Sequence, residues 1–82
     1  MPDTEALDSA VRTALDLPDG ADLSDIEYGR TQLWDSVGHM QLVTAIEMTF
    51  GITIDAEDVV EMSDYPAIRR VLRDHHGRSI EA

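Results

Sequence analysis

The 82-residue chain contains neither cysteine nor lysine. Without cysteine it has no disulfide, no thiolate nucleophile and no cysteine-based metal site. Its six arginines face 17 acidic residues, and the resulting net charge of −11 argues against nucleic acid and anionic membrane surfaces as partners. We expect basic protein surfaces as partners instead.

Aromatic residues and long apolar runs are also scarce. The aromatic residues are Trp34, Phe50, Tyr28 and Tyr65. The core must therefore be aliphatic and methionine-rich, which favours packed helices over a sheet. No apolar run approaches the roughly 20 residues of a membrane span, and residues 1–7 lack the pattern of a signal peptide. We predict one cytoplasmic, monomeric domain over residues 1–82, with frayed ends at about 1–3 and 77–82.

Hydrophobic periodicity predicts an all-α fold, a small four-helix bundle with three longer helices and one short helix. The predicted helices cover about residues 4–16, Ser36–Phe50, about 56–62, and a last helix from residues 63–64 to Gly77. A long loop joins the first two helices. We expect Leu23, Ile26 and Leu33 to hold this loop against the core.

The second predicted helix has an apolar stripe that should face the core. The stripe consists of Val37, Met40, Val43, Ile46 and Phe50. Met40 is therefore expected in the core, whereas Met48 falls off the stripe and is expected at the surface. Gly51 should end the helix. Trp34, two residues before the helix begins, should fill part of the core, and the alternative is an aromatic residue used in recognition.

A serine lies at the start of this helix. The N–H groups of a first helical turn lack partners within the helix, and the macrodipole adds partial positive charge there. A phosphate attached to the Ser36 hydroxyl would therefore be stabilised. The alternative is that Asp35 or Ser36 is only the N-cap of the helix.

An enzymatic or metal site is harder to build from these residues. Ser36 and His39 are three residues apart on one helix, so the imidazole is badly placed to activate the hydroxyl. A small helical core also leaves little room for a substrate cleft. We predict no enzyme, and we expect His39 to be an exposed contact residue. Three scattered histidines and an acidic stretch at 19–27 that fails the EF-hand register predict no metal site.

One extended motif covers the second predicted helix. It consists of Leu33-Trp34-Asp35-Ser36-Val37 at the start, Met40, Leu42, Val43, Ala45 and Ile46 within the helix, and Glu47-x-x-Phe50-Gly51-Ile52-x-Ile54 at the end. This pattern resembles the acyl carrier protein family, whose Asp-Ser-apolar site opens a helix that ends in Glu-x-x-Phe-Gly-apolar. The resemblance extends over about residues 7–72, and its specificity lies in the fixed spacing of the two ends.

The resemblance implies that Ser36 receives a 4′-phosphopantetheine arm from coenzyme A through a separate, magnesium-dependent phosphopantetheinyl transferase. Asp35 and Val37 would flank the attachment site. The thiol of the arm would hold acyl or aminoacyl groups as thioesters and present them to loading, acyl-transfer and condensing enzymes. The carrier itself would catalyse nothing.

The chain departs from housekeeping fatty-acid carriers in the helix that follows the serine. Those carriers are densely acidic on the exposed face, whereas Glu47 is the only acid here between Val37 and Phe50. We therefore predict a free-standing carrier of a specialised pathway, such as polyketide or mixed polyketide–peptide biosynthesis. The alternatives are a general fatty-acid carrier and an unmodified acidic helical adaptor. The predicted partner face consists of Asp35, Val37, Gly38, His39, Gln41, Met48 and Glu57.

Overall fold

The computed structural model describes residues 3–78 and 80, and the regular structure in this part of the chain is helical. The elements are α1 (Asp3–Ala14), a short 3-10 helix (Leu23–Asp25), α2 (Ser36–Phe50), α3 (Ala56–Glu61) and α4 (Tyr65–His76). The described residues form no strand, although one antiparallel bridge joins Glu27 to Asp64. For the described part of the chain, the prediction of an all-α fold with four helices, one of them short, is confirmed. Within the described ranges, no helix is both long and apolar enough to cross a membrane.

α1 ends at Ala14 rather than near residue 16. Asp16 adopts a left-handed conformation with φ of 53°, and the Leu17 N–H donates to the Arg12 carbonyl at 2.8 Å. The Asp16 N–H donates to the Thr13 carbonyl at 3.3 Å, which completes a Schellman motif. Glycine is the usual residue at this left-handed position, so the aspartate gives no obvious stop signal in the sequence.

α2 begins and ends at the predicted residues. At its end, Gly51 has a φ of 66° and donates its N–H to the Glu47 carbonyl. The apolar side chains of α2 buried in the core are Leu42, Val43, Ile46 and Phe50. They pack against Leu7 and Val11 of α1 and against Leu15, which follows α1. They also pack against α4, through Ile68, Val71 and Leu72.

The predicted stripe of α2 is wrong at its first two positions. Val37 is 67% exposed and Met40 is 57% exposed, whereas Met48 is at the surface as predicted. The inward positions near the helix start are taken by Gly38, which is buried, and His39, which is half-buried. A pattern of apolar residues alone cannot identify a glycine and a histidine as the inward residues.

Residues 15–35 connect α1 to α2. Leu23 and Ile26 are buried as predicted, and Trp34 is 1% exposed, which confirms it as a core residue. Leu33 instead has a positive φ of 70° and is 53% exposed, so the predicted core contact of this side chain is wrong.

Residues 52–55, which have no regular secondary structure, precede α3. α4 follows after Met62, a fully buried side chain. The side chain of Asp64 caps α4 by accepting a hydrogen bond from the Ala67 N–H at 2.8 Å, and Pro66 lies in the first turn. Gly77, with φ of 64°, ends α4 as predicted.

Part of the predicted frayed ends, residues 1, 2, 79, 81 and 82, lies outside the described residues. The remainder makes defined contacts. Asp3 begins α1 and forms an ion pair with Arg78 at 3.3 Å. The Arg78 N–H donates to the Leu72 carbonyl at 3.0 Å, and Ile80 is buried in the core.

Candidate functional site

Ser36 is the first residue of α2, and its side chain is exposed. The N-cap is Asp35, whose carboxylate accepts a hydrogen bond from the Gly38 N–H at 2.9 Å. Of the two capping residues that the sequence left open, the structure therefore selects Asp35. Within residues 3–78 and 80, no hydrogen bond involves the Ser36 hydroxyl. This oxygen is thus accessible at the positive end of a helix dipole.

The backbone before Ser36 is held by close contact with α2. A Cβ atom added to Gly38 would overlap the carbonyl oxygen of Leu33 and lie 2.9 Å from its carbonyl carbon. Leu33 also has a left-handed conformation, which costs about 1–2 kcal/mol for a residue with a side chain. Glycine at position 38 therefore allows the chain to approach α2 closely enough for Asp35 to cap it.

His39 connects three parts of the fold. Its Nδ1 accepts a hydrogen bond from Trp34 Nε1 at 2.9 Å, and its Nε2 lies 2.7 Å from the Val59 carbonyl oxygen. Because Nδ1 is the acceptor, Nε2 must carry the proton that it donates to Val59. The ring also stacks on Trp34, at 6.1 Å between centroids, and meets the edge of Tyr28. Both imidazole nitrogens are therefore engaged in holding the fold.

These contacts correct the predicted exposure of Gly38 and His39. The other residues of the predicted partner face are exposed, namely Asp35, Val37, Gln41, Met48 and Glu57. Glu57 lies in the first turn of α3, away from the α2 residues in the chain. Met40, which the sequence placed in the core, is the exposed residue that the prediction missed. The sequence carries no signal for this exposure, because it follows from the packing of Gly38 against the Leu33 carbonyl.

No charged side chain of α2 is fully exposed. Glu47, the only acid within α2, is half-buried, and its carboxylate accepts a hydrogen bond from the Ile54 N–H at 2.8 Å. The face instead presents Val37, Met40 and Met48, the last of which is 79% exposed. An apolar face of this kind favours partners that bury it over partners that only pair with charges.

Two open grooves include Ser36 in their walls. The first, about 610 Å³, runs along α2 and is lined by Ser36, Val37, Met40, Gln41, Thr44, Ala45 and Met48. The second, about 370 Å³, lies between α2 and α3 and is lined by Tyr28, Ser36, His39, Met40, Val59, Val60 and Ser63. A flexible group attached to Ser36 would have apolar surface on either side of it.

Comparison with known proteins gives no relative: no protein-family model matches the chain, and no curated protein or solved structure matches it significantly.

Proposed function

We propose that Ser36 is the attachment point of a 4′-phosphopantetheine arm and that the chain is an acyl or aminoacyl carrier. The observation behind this proposal is that the residue before Ser36, and not Ser36 itself, caps α2. Asp35 caps the helix, so the Ser36 hydroxyl beside it is exposed and has no hydrogen bond to any described residue. A serine needed only as a cap would use its oxygen on the helix, and this one does not.

The surroundings of Ser36 suit such a group. The diester formed on the Ser36 oxygen carries negative charge, which the N-terminus of α2 stabilises. Val37 and Met40 offer apolar surface to the arm in the adjoining grooves. When bound, the arm supplies a thiol for thioester formation, and a chain without cysteine has no second thiol to intercept the cargo. The chain itself catalyses no step in this proposal.

Intact-mass analysis tests the attachment. The purified chain is incubated with coenzyme A, magnesium and a broad-specificity phosphopantetheinyl transferase, and we expect a single phosphopantetheine adduct. Ser36→Ala should abolish the adduct. Ser9→Ala, at an exposed serine of α1, should leave it unchanged. An adduct that survives Ser36→Ala would disprove attachment at this residue.

The rival proposal from another class is an unmodified acidic helical adaptor. It shares the fold and the charge but requires no arm. Absence of an adduct on the folded wild-type chain, with a known carrier modified in the same reaction, would favour the adaptor.

We further propose that this carrier serves a specialised pathway, such as polyketide or mixed polyketide–peptide biosynthesis. The support is the apolar, uncharged face of α2. A general fatty-acid carrier would present an acidic face there and should be recognised through charge. The loaded chain is offered to housekeeping fatty-acid enzymes and to pathway-specific ones. Efficient general loading and elongation would instead support the alternative, a general fatty-acid carrier.

The remaining elements of the proposal concern architecture and location. The helices would form a four-helix bundle with a long loop leading into Ser36, and the protein would work as a cytoplasmic monomer. Its partner face would be centred on Val37, Gln41 and Met48, with Asp35 and Glu57 at the margins. Met40 joins this face because of its exposure in the structure.

A further inference from the structure

Among the described residues, the charged residue that is buried is Asp58, with 8% of its surface exposed. It lies on α3 and faces the end of α4. His75 Nδ1 lies 2.8 Å from one carboxylate oxygen, and His76 Nε2 lies 3.5 Å from the other. Two consecutive imidazoles therefore bracket a single buried carboxylate.

The partners of this carboxylate are histidines rather than arginines. A guanidinium group would always be positive, whereas a histidine is positive only when both ring nitrogens carry protons. No ion pair between Asp58 and an arginine is found in the described residues. His76 Nε2 is buried and has no hydrogen-bond partner. A buried carboxylate without a permanently charged partner is a group that a bound cation would stabilise.

Glu61 adds a third donor to the same place. It follows Asp58 by three residues on α3, so the two side chains share one helix face. The donor atoms of Asp58, Glu61 and His75 all lie within 4.8 Å of one another. Glu61 and His75 are both exposed, and binding of one ion would draw their donor atoms closer to Asp58 than they lie in this structure.

We infer that Asp58, Glu61 and His75 form a binding site for a borderline-soft divalent cation, with zinc as the reference ion. Two carboxylates and one imidazole suit zinc, whereas calcium and magnesium prefer oxygen ligands alone. His76, next to the second oxygen of Asp58, is placed to orient the carboxylate. The ion would fasten α3 to the end of α4. Histidine spacing in the sequence predicts no such site because its ligands come from two helices.

Zinc binding is measured by calorimetry on the chelator-treated chain, in excess magnesium to occupy weak acidic sites. We expect one saturable site. Glu61→Gln and His75→Gln should each weaken zinc binding at least about tenfold. Glu5→Gln changes the same residue type at an exposed position of α1, outside the cluster, so it should leave the affinity unchanged. Circular dichroism checks that each variant is folded.

Nitrogen chemical shifts of the histidines give a second readout. Zinc should shift His75 Nδ1 strongly and leave His39, which is held by Trp34 and Val59, unchanged. The inference is overturned if no saturable site exists, if magnesium displaces zinc as an equal competitor, or if both ligand variants bind zinc like the wild type. Ser36→Ala should bind zinc normally, so this result is independent of the proposed carrier function.

Discussion

Trp34 Nε1 donates a hydrogen bond to His39 Nδ1 at 2.9 Å, and this contact joins the segment that precedes Ser36 to the first turns of α2. The Nε2 atom of the same imidazole lies 2.7 Å from the Val59 carbonyl oxygen of α3. The position of Ser36 is therefore coupled to α3 through one side chain. The sequence prediction of an exposed contact residue at position 39 assigned His39 to the wrong side of the helix.

Replacing His39 tests this coupling. His39→Ala leaves Trp34 Nε1 and the Val59 carbonyl without their partner, and we expect a loss of about 2–3 kcal/mol in the free energy of unfolding. Gln41→Ala, at an exposed position of the same helix, should change the stability by less than about 0.5 kcal/mol. Chemical denaturation measures both. In a double-mutant cycle with Trp34→Phe, the two losses should not add, and full additivity would contradict the hydrogen bond.

Gly38→Ala should destabilise the fold although alanine is the better helix former. In an open helix the substitution would stabilise by about 1 kcal/mol. Here the new methyl group overlaps the Leu33 carbonyl, so we expect a loss of about 1–3 kcal/mol. Gly20→Ala is the control because a Cβ there meets no atom within 4 Å. If Gly38→Ala is neutral or stabilising, the loop does not depend on this contact.

Asp35 caps α2 and, under the carrier proposal, also flanks the attachment site; substitution can separate these two roles. Asp35→Ala removes the acceptor of the Gly38 N–H and should lower stability by about 1 kcal/mol. Asp35→Asn keeps an acceptor oxygen and should be nearly as stable as the wild type. Asp55, at the start of α3, makes no capping hydrogen bond, so Asp55→Ala should have little effect. Under the carrier proposal, Asp35→Asn slows phosphopantetheine transfer without unfolding the chain, which a transferase assay measures.

Tyr65 predicts how stability responds to alkaline pH. Burial raises the pKa of Tyr65 from 10.0 to about 12, helped by the hydrogen bond that its hydroxyl donates to Asp8. The folded chain therefore keeps a proton that the unfolded chain loses. This contribution to stability is fully present below pH 10 and is lost as the pH rises toward about 12.

Thermal unfolding between these pH values measures the effect. Tyr65→Phe should be less stable than the wild type at neutral pH but should lose less stability across the alkaline range. The stability of Tyr28→Phe, a substitution at the exposed tyrosine, should fall with rising pH as steeply as that of the wild type. Parallel curves for the wild type and Tyr65→Phe would show that the buried phenol does not set the alkaline limit.

Local signals in the sequence predicted the helix boundaries well. Gly51 and Gly77 take the left-handed conformation that ends α2 and α4, and Asp64 with Pro66 starts α4. The end of α1 was misplaced because Asp16 takes the left-handed position more often filled by glycine.

The orientation of α2 and the pairing of distant side chains were harder to predict. The outward rotation of Met40 depends on how closely the Leu33 carbonyl approaches Gly38, which is a tertiary contact. Likewise, His75 meets Asp58 across 17 residues, so neither sequence spacing nor periodicity reports the cluster. What the sequence located correctly at the candidate site was an exposed serine at the first position of α2.

Trp34 is the single tryptophan of the chain, and it lies two residues before Ser36, with its indole N–H bonded to an imidazole. Its fluorescence therefore comes from one known place next to the candidate site. A shift in emission would report any event that disturbs the Trp34–His39 contact, including occupation of the groove between α2 and α3. Events at this site can accordingly be followed in real time with the unlabelled protein.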